Sequence, residues 1–188
     1  SGITSIDQRK GKRVAVGAAG SGTEANARQI LGAYGITYDD IKVQYLSFGE
    51  ASDALKDGNI DVAFVTAGHP TAAVQDIATQ QELVLLPVTA DKADALIAKY
   101  PFYAKVTIPA KSYRNQAADV SAVAVMAMLV VTDKMDSQLT YDISKAIFTN
   151  TDRLKAAHAV AANVSKANGQ VGMSIPVAAG AEKYFKEK

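Results

Sequence analysis

Between Arg13 and about Tyr100, short apolar runs alternate with stretches of helical periodicity, the pattern of βα units packed around a largely parallel sheet. Four such units are predicted. Val14-Ala15-Val16 forms a strand that leads through Gly17-Ala18-Ala19-Gly20 into a helix, where Ala27, Ile30, Leu31 and Tyr34 follow i, i+3, i+4, i+7 spacing and Gly35 closes the element. Val43 to Leu46 makes a second strand, and Ala51, Ala54 and Leu55 mark one face of the helix that stops near Gly58. Val62 to Val65 makes a third, followed by Thr66-Ala67-Gly68-His69 and by Pro70, whose missing N–H suits the first turn of a helix. Leu83 to Val88 reads as a fourth strand, with Ala93, Leu96, Ile97 and Tyr100 on the helix after it.

Beyond Pro101 the texture changes. Val106-Thr107-Ile108-Pro109 is extended, and the polar stretch from Lys111 to Asp119 reads as a connection between lobes. Val123 to Val131 has the pattern of a strand buried on both faces, which requires a sheet to belong to. Helices are expected from there to the end, with Leu139, Ile143, Ala146 and Ile147 on one apolar face and Ala181, Tyr184 and Phe185 on another.

Composition narrows what such a chain can do. With 188 residues, 48% hydrophobic and 21% charged, it can bury one large core or two small ones. A net charge of +1 gives no overall field for nucleic acid or an anionic membrane, so any anion recognition must be local. The longest apolar run, Ala122 to Val131, is about half of the ~20 residues a membrane-spanning helix needs. Ser1-Gly2-Ile3-Thr4-Ser5 has neither the basic nor the apolar region of an export signal, a pattern that a trimmed, exported product would also show. Absence of cysteine excludes disulfides and thiolate metal sites.

The segment richest in chemistry is Gly17-Ala18-Ala19-Gly20-Ser21-Gly22-Thr23-Glu24, placed between a strand and a helix. Small residues let a ligand approach the backbone, and the N–H groups of Gly22, Thr23 and Glu24 lie at the positive end of the helix dipole, where a carboxylate or phosphate fits. Ser21 and Thr23 add hydroxyl donors. Ser21 and Glu24 also have the S-x-x-E spacing of a capping box, which would do no more than satisfy the helix end. The same spacing recurs at Ser47-Phe48-Gly49-Glu50 without a glycine run, so capping alone does not explain Gly17, Gly20 and Gly22. In open parallel sheets ligands sit beyond the carboxyl ends of the strands, here Gly17 to Ser21, Ser47-Phe48, Thr66-Ala67-Gly68 and Pro87 to Thr89. Phe48 would pack on a ligand's carbon skeleton or act as a core or staple residue; Thr66, Ala67 and Gly68 would offer polar contacts or only form the turn.

Other chemistries fit less well. Gly20 to Ala25 matches the dinucleotide pattern G-x-G-x-x-A, but the second strand ends in Leu46-Ser47-Phe48 where an acidic ribose contact belongs. No phosphate loop of the NTPase type occurs, and Ala19 breaks the nucleophile-elbow pattern. His69, at a strand tip, reads as a helix cap or, less readily, as a ligand contact, and His158 as solvated; they make a poor metal set. No catalytic residue, cofactor or metal is expected.

Several segments together carry a family resemblance: Gly11-Lys12-Arg13-Val14-Ala15-Val16-Gly17, Gly20-Ser21-Gly22-Thr23-Glu24, Ala27-Arg28-Gln29-Ile30-Leu31, Asp57-Gly58-Asn59-Ile60-Asp61, Phe64-Val65-Thr66-Ala67-Gly68, Tyr100-Pro101-Phe102-Tyr103 and Ile108-Pro109-Ala110. The chain resembles the TAXI group of substrate-binding proteins of TRAP-type transporters over nearly its whole length. The resemblance implies a periplasmic or cell-surface receptor with two type II periplasmic-binding-protein-like α/β lobes. It would bind a small organic anion such as glutamate or a dicarboxylate and deliver it to membrane permease subunits. By position, Ser21, Gly22 and Thr23 in the Gly20 to Glu24 turn would hold the anion, with Thr66, Ala67 and Gly68 on the neighbouring cleft strand. Residues 10–104 would form the second lobe, 105–122 the interlobe connection, and 123–188 the C-terminal strand and helices completing the first lobe. The first lobe's N-terminal part would then come from a missing fragment or another chain, and the strand at Val123 to Val131 would otherwise expose an apolar face. A ligand-sensing domain and a dinucleotide-binding enzyme domain are the competing readings of the same α/β lobe.

Overall fold

A computed structural model describes residues 2–187; Ser1 and Lys188, the ends of the N-terminal run and of the C-terminal segment considered above, lie outside the described residues. Contacts group the chain into two compact units, one up to Ala124 and one from Val125.

The first unit is α/β. Strands β1 (Arg13–Ala15), β2 (Lys42–Gln44) and β3 (Val62–Ala63) form a parallel sheet in the order β2-β1-β3, with Val14 opposite both Val43 and Val62. Helices α1 (Gly22–Ala33), α2 (Phe48–Lys56), α3 (Ala72–Gln80) and α4 (Ala90–Lys99) accompany it. Strand alternation divides the core. Val14, Val16 and Val62 join Ala27, Leu31, Ile36 and Val88 in one cluster, whereas Ala15 packs with Ala51 and Ile60 in another. Burial of Val14, Ala15 and Val16 on both faces is what a central parallel strand demands. At the amino end of the sheet Asp61 clamps β1. Its Oδ2 accepts from the Arg13 backbone N–H (2.9 Å) and Nε (3.1 Å), and its Oδ1 from Nη2 (2.8 Å).

Two expectations are corrected here, and a third segment takes a more definite form. Leu83 to Val88 is not a ladder strand: it is extended, and Val88 donates a single backbone bond to the Ser121 carbonyl. Pro70 does not occupy the first turn of a helix, because α3 begins at Ala72 with Thr71 as its N-cap; His69 is therefore not the cap either. The stretch from Lys111 to Asp119 is more ordered than a simple connection. It folds into a loop between β4 (Tyr103–Ile108) and β5 (Val120–Val125), which form a separate two-stranded sheet. Gln116 Nε2 donates to the carbonyls of Pro109 and Ala118, each at 3.0 Å, and buried Tyr113 accepts from the Thr71 N–H at 3.0 Å.

The second unit consists of α5 (Ser137–Thr149), α6 (Thr151–Ala157) and α7 (Ala179–Lys186) with irregular segments between them. Gly180 lies against the first turn of α5, so close that a Cβ would overlap the Ser137 carbonyl and Thr140 Oγ1. Tyr184 stacks on Phe148 with centroids 5.9 Å apart. The buried stripe of α5 is accordingly Thr140 and Ser144, not the apolar face expected from its sequence; Leu139 on that face stays 48% exposed. The strand expected from Val123 to Val131 also ends early. Pairing stops at Val125, and Met126, Leu129, Val130 and Val131 are exposed instead of buried on both faces.

Candidate functional site

Because β1, β2 and β3 are parallel, their carboxyl ends lie on one side of the sheet, and the segments following them are Val16 to Ser21, Tyr45 to Ser47 and Phe64 to Gly68. Gly17 takes φ +101° and Gly20 φ +72°, both left-handed values that favour glycine. At Gly17 a side chain would also meet Thr23: an added Cβ would stand 2.8 Å from Thr23 Cβ and 3.0 Å from Ser21 Oγ. The turn is thus folded back on the start of α1, with Thr23 buried against Gly17 while Ala18, Ala19, Gly20 and Gly22 stay exposed.

The capping differs at the two S-x-x-E segments. At α2 the box is complete: Ser47 Oγ accepts from the Glu50 N–H, and Glu50 Oε2 accepts from the Ser47 N–H at 2.8 Å. At α1 only half of it forms. Ser21 Oγ accepts from the Glu24 N–H at 3.1 Å, which removes that amide from the donors expected for an anion. The Glu24 carboxylate turns away from the cap instead, accepting from Arg28 Nη2 at 2.6 Å and Tyr38 OH at 3.0 Å. These two bonds, Arg28's first, hold the Glu24 carboxyl below its usual range, while burial and Glu24 push the Tyr38 phenol above its own. The Gly22 and Thr23 N–H groups make no hydrogen bond among the described residues and face the exposed turn.

Thr66 is tied to the same place. Asn26, on the second turn of α1, donates from Nδ2 to Thr66 Oγ1 at 3.2 Å. Buried Tyr103 brings its hydroxyl to Asn26 Oδ1 (3.0 Å) and Gln29 Oε1 (2.6 Å). Burial raises the Tyr103 pKa to about 12, so the phenol keeps its proton. Ala67 and Gly68 are exposed beyond Thr66, and the Gly68 carbonyl accepts from Thr71 Oγ1 at 2.8 Å. Phe48, the first residue of α2, is half-buried at the same end of the sheet.

Pro87 to Thr89 does not join this group. The Thr89 N–H donates to Tyr34 OH at 3.0 Å, and Tyr34 caps the C-terminal end of α1, so Thr89 lies at the opposite end of that helix from Gly22. A helix of this length spans about 18 Å. Grooves of about 540 and 450 Å³ run beside α3 and between α1 and α4; of the turn residues only Glu24 lines either one. Among the described residues no group of three His, Asp or Glu side chains is arranged to hold a metal ion. Among the described residues no helix is long and apolar enough to cross a membrane.

Asn26, Gln29 and Tyr103 were not candidates from sequence. A signal for the first two exists: they are polar residues at i, i+3 beside a core stripe of Ala27, Ile30 and Leu31. Tyr103 sits in the aromatic segment Tyr100 to Tyr103 and has no sequence feature that aims it at α1.

The fold is therefore an α/β unit with a parallel sheet and an anion-compatible helix start at the carboxyl ends of its strands. By sequence the chain belongs to the NMT1-like family, whose pattern matches residues 1–188. A solved structure similar to it is the periplasmic aliphatic sulphonate binding protein SsuA from Escherichia coli. The identity is 16% and the TM-score 0.41, over 98% of this chain and 48% of that one. The chain thus spans about half the length of that protein.

Proposed function

We propose that the chain is the ligand-binding part of an extracytoplasmic solute receptor. It holds a small organic anion, glutamate or a dicarboxylate, at the start of α1 and delivers it to the permease subunits of a TRAP-type transporter. The observation that carries this reading is the pair of unengaged N–H groups at Gly22 and Thr23. They sit at the positive end of a twelve-residue helix, after a turn of small residues in which Gly17 and Gly20 take left-handed φ values. Ser21 Oγ caps the same helix start through the Glu24 N–H, Thr66 Oγ1 accepts from Asn26 on the second turn of that helix, and membership of the NMT1-like family agrees with a binding role. Binding proceeds without transformation of the ligand. The opposing half of the cleft, and the sheet that Met126 to Val131 would join, come from further polypeptide; exposed Leu129 and Val130 support that part of the reading.

Gly22→Val tests the site without disturbing the fold, since nothing lies within 4 Å of the position a Cβ would take. Isothermal titration of the full-length protein with L-glutamate and succinate should give binding that Gly22→Val abolishes at unchanged melting temperature. Equal affinity in the variant would remove the turn from the site.

A further inference from the structure

Two cations and no carboxylate line the groove of about 540 Å³ beside α3: Lys111 and Arg114, both on the loop between β4 and β5. Neither forms an ion pair among the described residues. Arg114 Nη1 donates to the Thr79 carbonyl at 2.9 Å, which moors the guanidinium on the last turn of α3 and leaves Nε and Nη2 without a described partner. The acids close by in sequence are committed elsewhere. Asp76 accepts from Lys56, Ser52 and Gln80, and Asp119 accepts from the Ala110 N–H at 2.7 Å. The loop that carries the two cations is held in one shape. The Lys111 N–H donates to the Gln116 carbonyl at 3.0 Å, and buried Tyr113 packs with Val74 and Ala78. Lys111 and Asn115 take φ +67° and +65°, left-handed values that residues other than glycine adopt only where their surroundings impose them. Charges fixed in this way cost a partner little ordering on binding.

We propose that this groove docks an acidic, extended segment of a partner polypeptide, with carboxylates on Lys111 and Arg114 and aliphatic carbons over Ala78 and Tyr113. Charge sets the sign of the partner: two unpaired cations share one groove in a chain whose net charge is only +1, and the free edge of a guanidinium matches carboxylate oxygens. Shape favours polypeptide over a small solute. Gln75, Thr79, Asn115 and Ala117 on the walls are exposed, as are both cations, and only Ala78 and Tyr113 are buried beneath them. A small ligand is held where most of its surface is covered, which such an open trough does not do. None of Gly20 to Glu24 lines this groove, so the surface is separate from the α1 turn and does not depend on what binds there.

NMR titration of the full-length protein with end-blocked hexaglutamate tests it, with hexaglutamine and citrate as comparison probes. Hexaglutamate should shift the backbone signals of Ala78 and of residues 111–117, and hexaglutamine should leave them in place. Lys111→Gln with Arg114→Gln should weaken hexaglutamate binding by about tenfold or more, whereas Lys183→Gln with Lys186→Gln, which removes the same two charges from α7, should change it by less than about 2-fold. Lys111 makes no side-chain hydrogen bond among the described residues, so Lys111→Gln alone, with a loss of about 3-fold, carries the test should loss of the Arg114 contact disturb the loop. Gly22→Val should leave hexaglutamate affinity unchanged, so that failure of the solute site and failure of this one are read separately. Equal weakening by the two charge pairs would mean attraction to net charge alone and overturn the proposal. Shifts confined to other surfaces, or citrate binding in the groove as tightly as hexaglutamate, would overturn it as well.

Discussion

Arg9 is the least comfortable charge in the molecule. It is 3% exposed, and its Nε and Nη1 are buried without a hydrogen-bond partner. The compensation in view is the Phe64 ring, 5.5 Å from Cζ, a contact worth about 1–2 kcal/mol at best. Burial pushes the guanidinium pKa well below its usual value, down to about 10, a displacement equivalent to about 3 kcal/mol against the charged form. Arg9→Met keeps most of the stem and removes the charge, so the variant should be more stable by about 1–3 kcal/mol at pH 7 once the lost ring contact is deducted. The unfolded chain binds the proton more tightly than the folded one. The wild-type deficit is therefore full at neutral pH and only begins to shrink as pH rises past about 10, the folded-state value, so the gap between the two proteins should stay nearly constant from pH 7 to pH 10. Urea denaturation of both proteins at pH 7 and at pH 10 measures the difference. A Met variant less stable than wild type at pH 7 would refute the reasoning and mean that the guanidinium has found a partner.

Two further substitutions probe the frame around the site. Gly17→Ala should destabilise the protein by about 2–4 kcal/mol, since φ is +101° and the new Cβ meets Thr23 at 2.8 Å; unchanged denaturation would show that Thr23 does not pack there. Asp61→Asn should flatten the acid side of the stability curve. The Arg13 side chain and N–H hold this carboxyl well below the usual carboxylate range, so the contribution is present above about pH 4 and lost as pH falls through the folded-state value. Melting curves from pH 2 to 7 measure it, and an acid limb identical to that of wild type would exclude the clamp as a source of stability.

Much of the first unit could be read from sequence because its signals are local and mutually consistent. Val14-Ala15-Val16 alternates between two packed faces, Ala27 and Leu31 fall on the buried stripe of α1, and Ser47-x-x-Glu50 marks a helix start that forms as a full capping box. What escaped depends on direction and distant partners. Leu83 to Val88 has the composition of a core strand, and Val88 does join the core, but composition does not say which way a segment runs. The segment leads to the Tyr34 end of α1, so Thr89 and the Gly22 turn finish about a helix length apart. Arg9 was hidden similarly. Within Asp7-Gln8-Arg9-Lys10 it looks like surface, whereas the 3-10 turn over Ile6–Arg9 places Arg9 above Ile6, three residues earlier, on the inward side.

The second unit shows why an apolar pattern can be correct and still name the wrong neighbour. In α5 the tight contact with α7 is made by small and polar residues, because Gly180 permits an approach that larger side chains would prevent. Thr140 and Ser144 survive burial by bonding back to the Ser137 and Thr140 carbonyls at 3.0 and 2.9 Å, so the face costs little to desolvate. Leu139 on the apolar face is left 48% exposed, as are Leu129 and Val130 at 67% and 61% in the segment after β5. Exposed leucine and valine at this density, in a segment whose pairing stops at Val125, follow the sequence pattern of a buried strand without the strand's environment. The apolar residues of the second unit therefore report a packing requirement that its own described residues do not meet, whereas the Gly22 turn depends only on groups within the first unit.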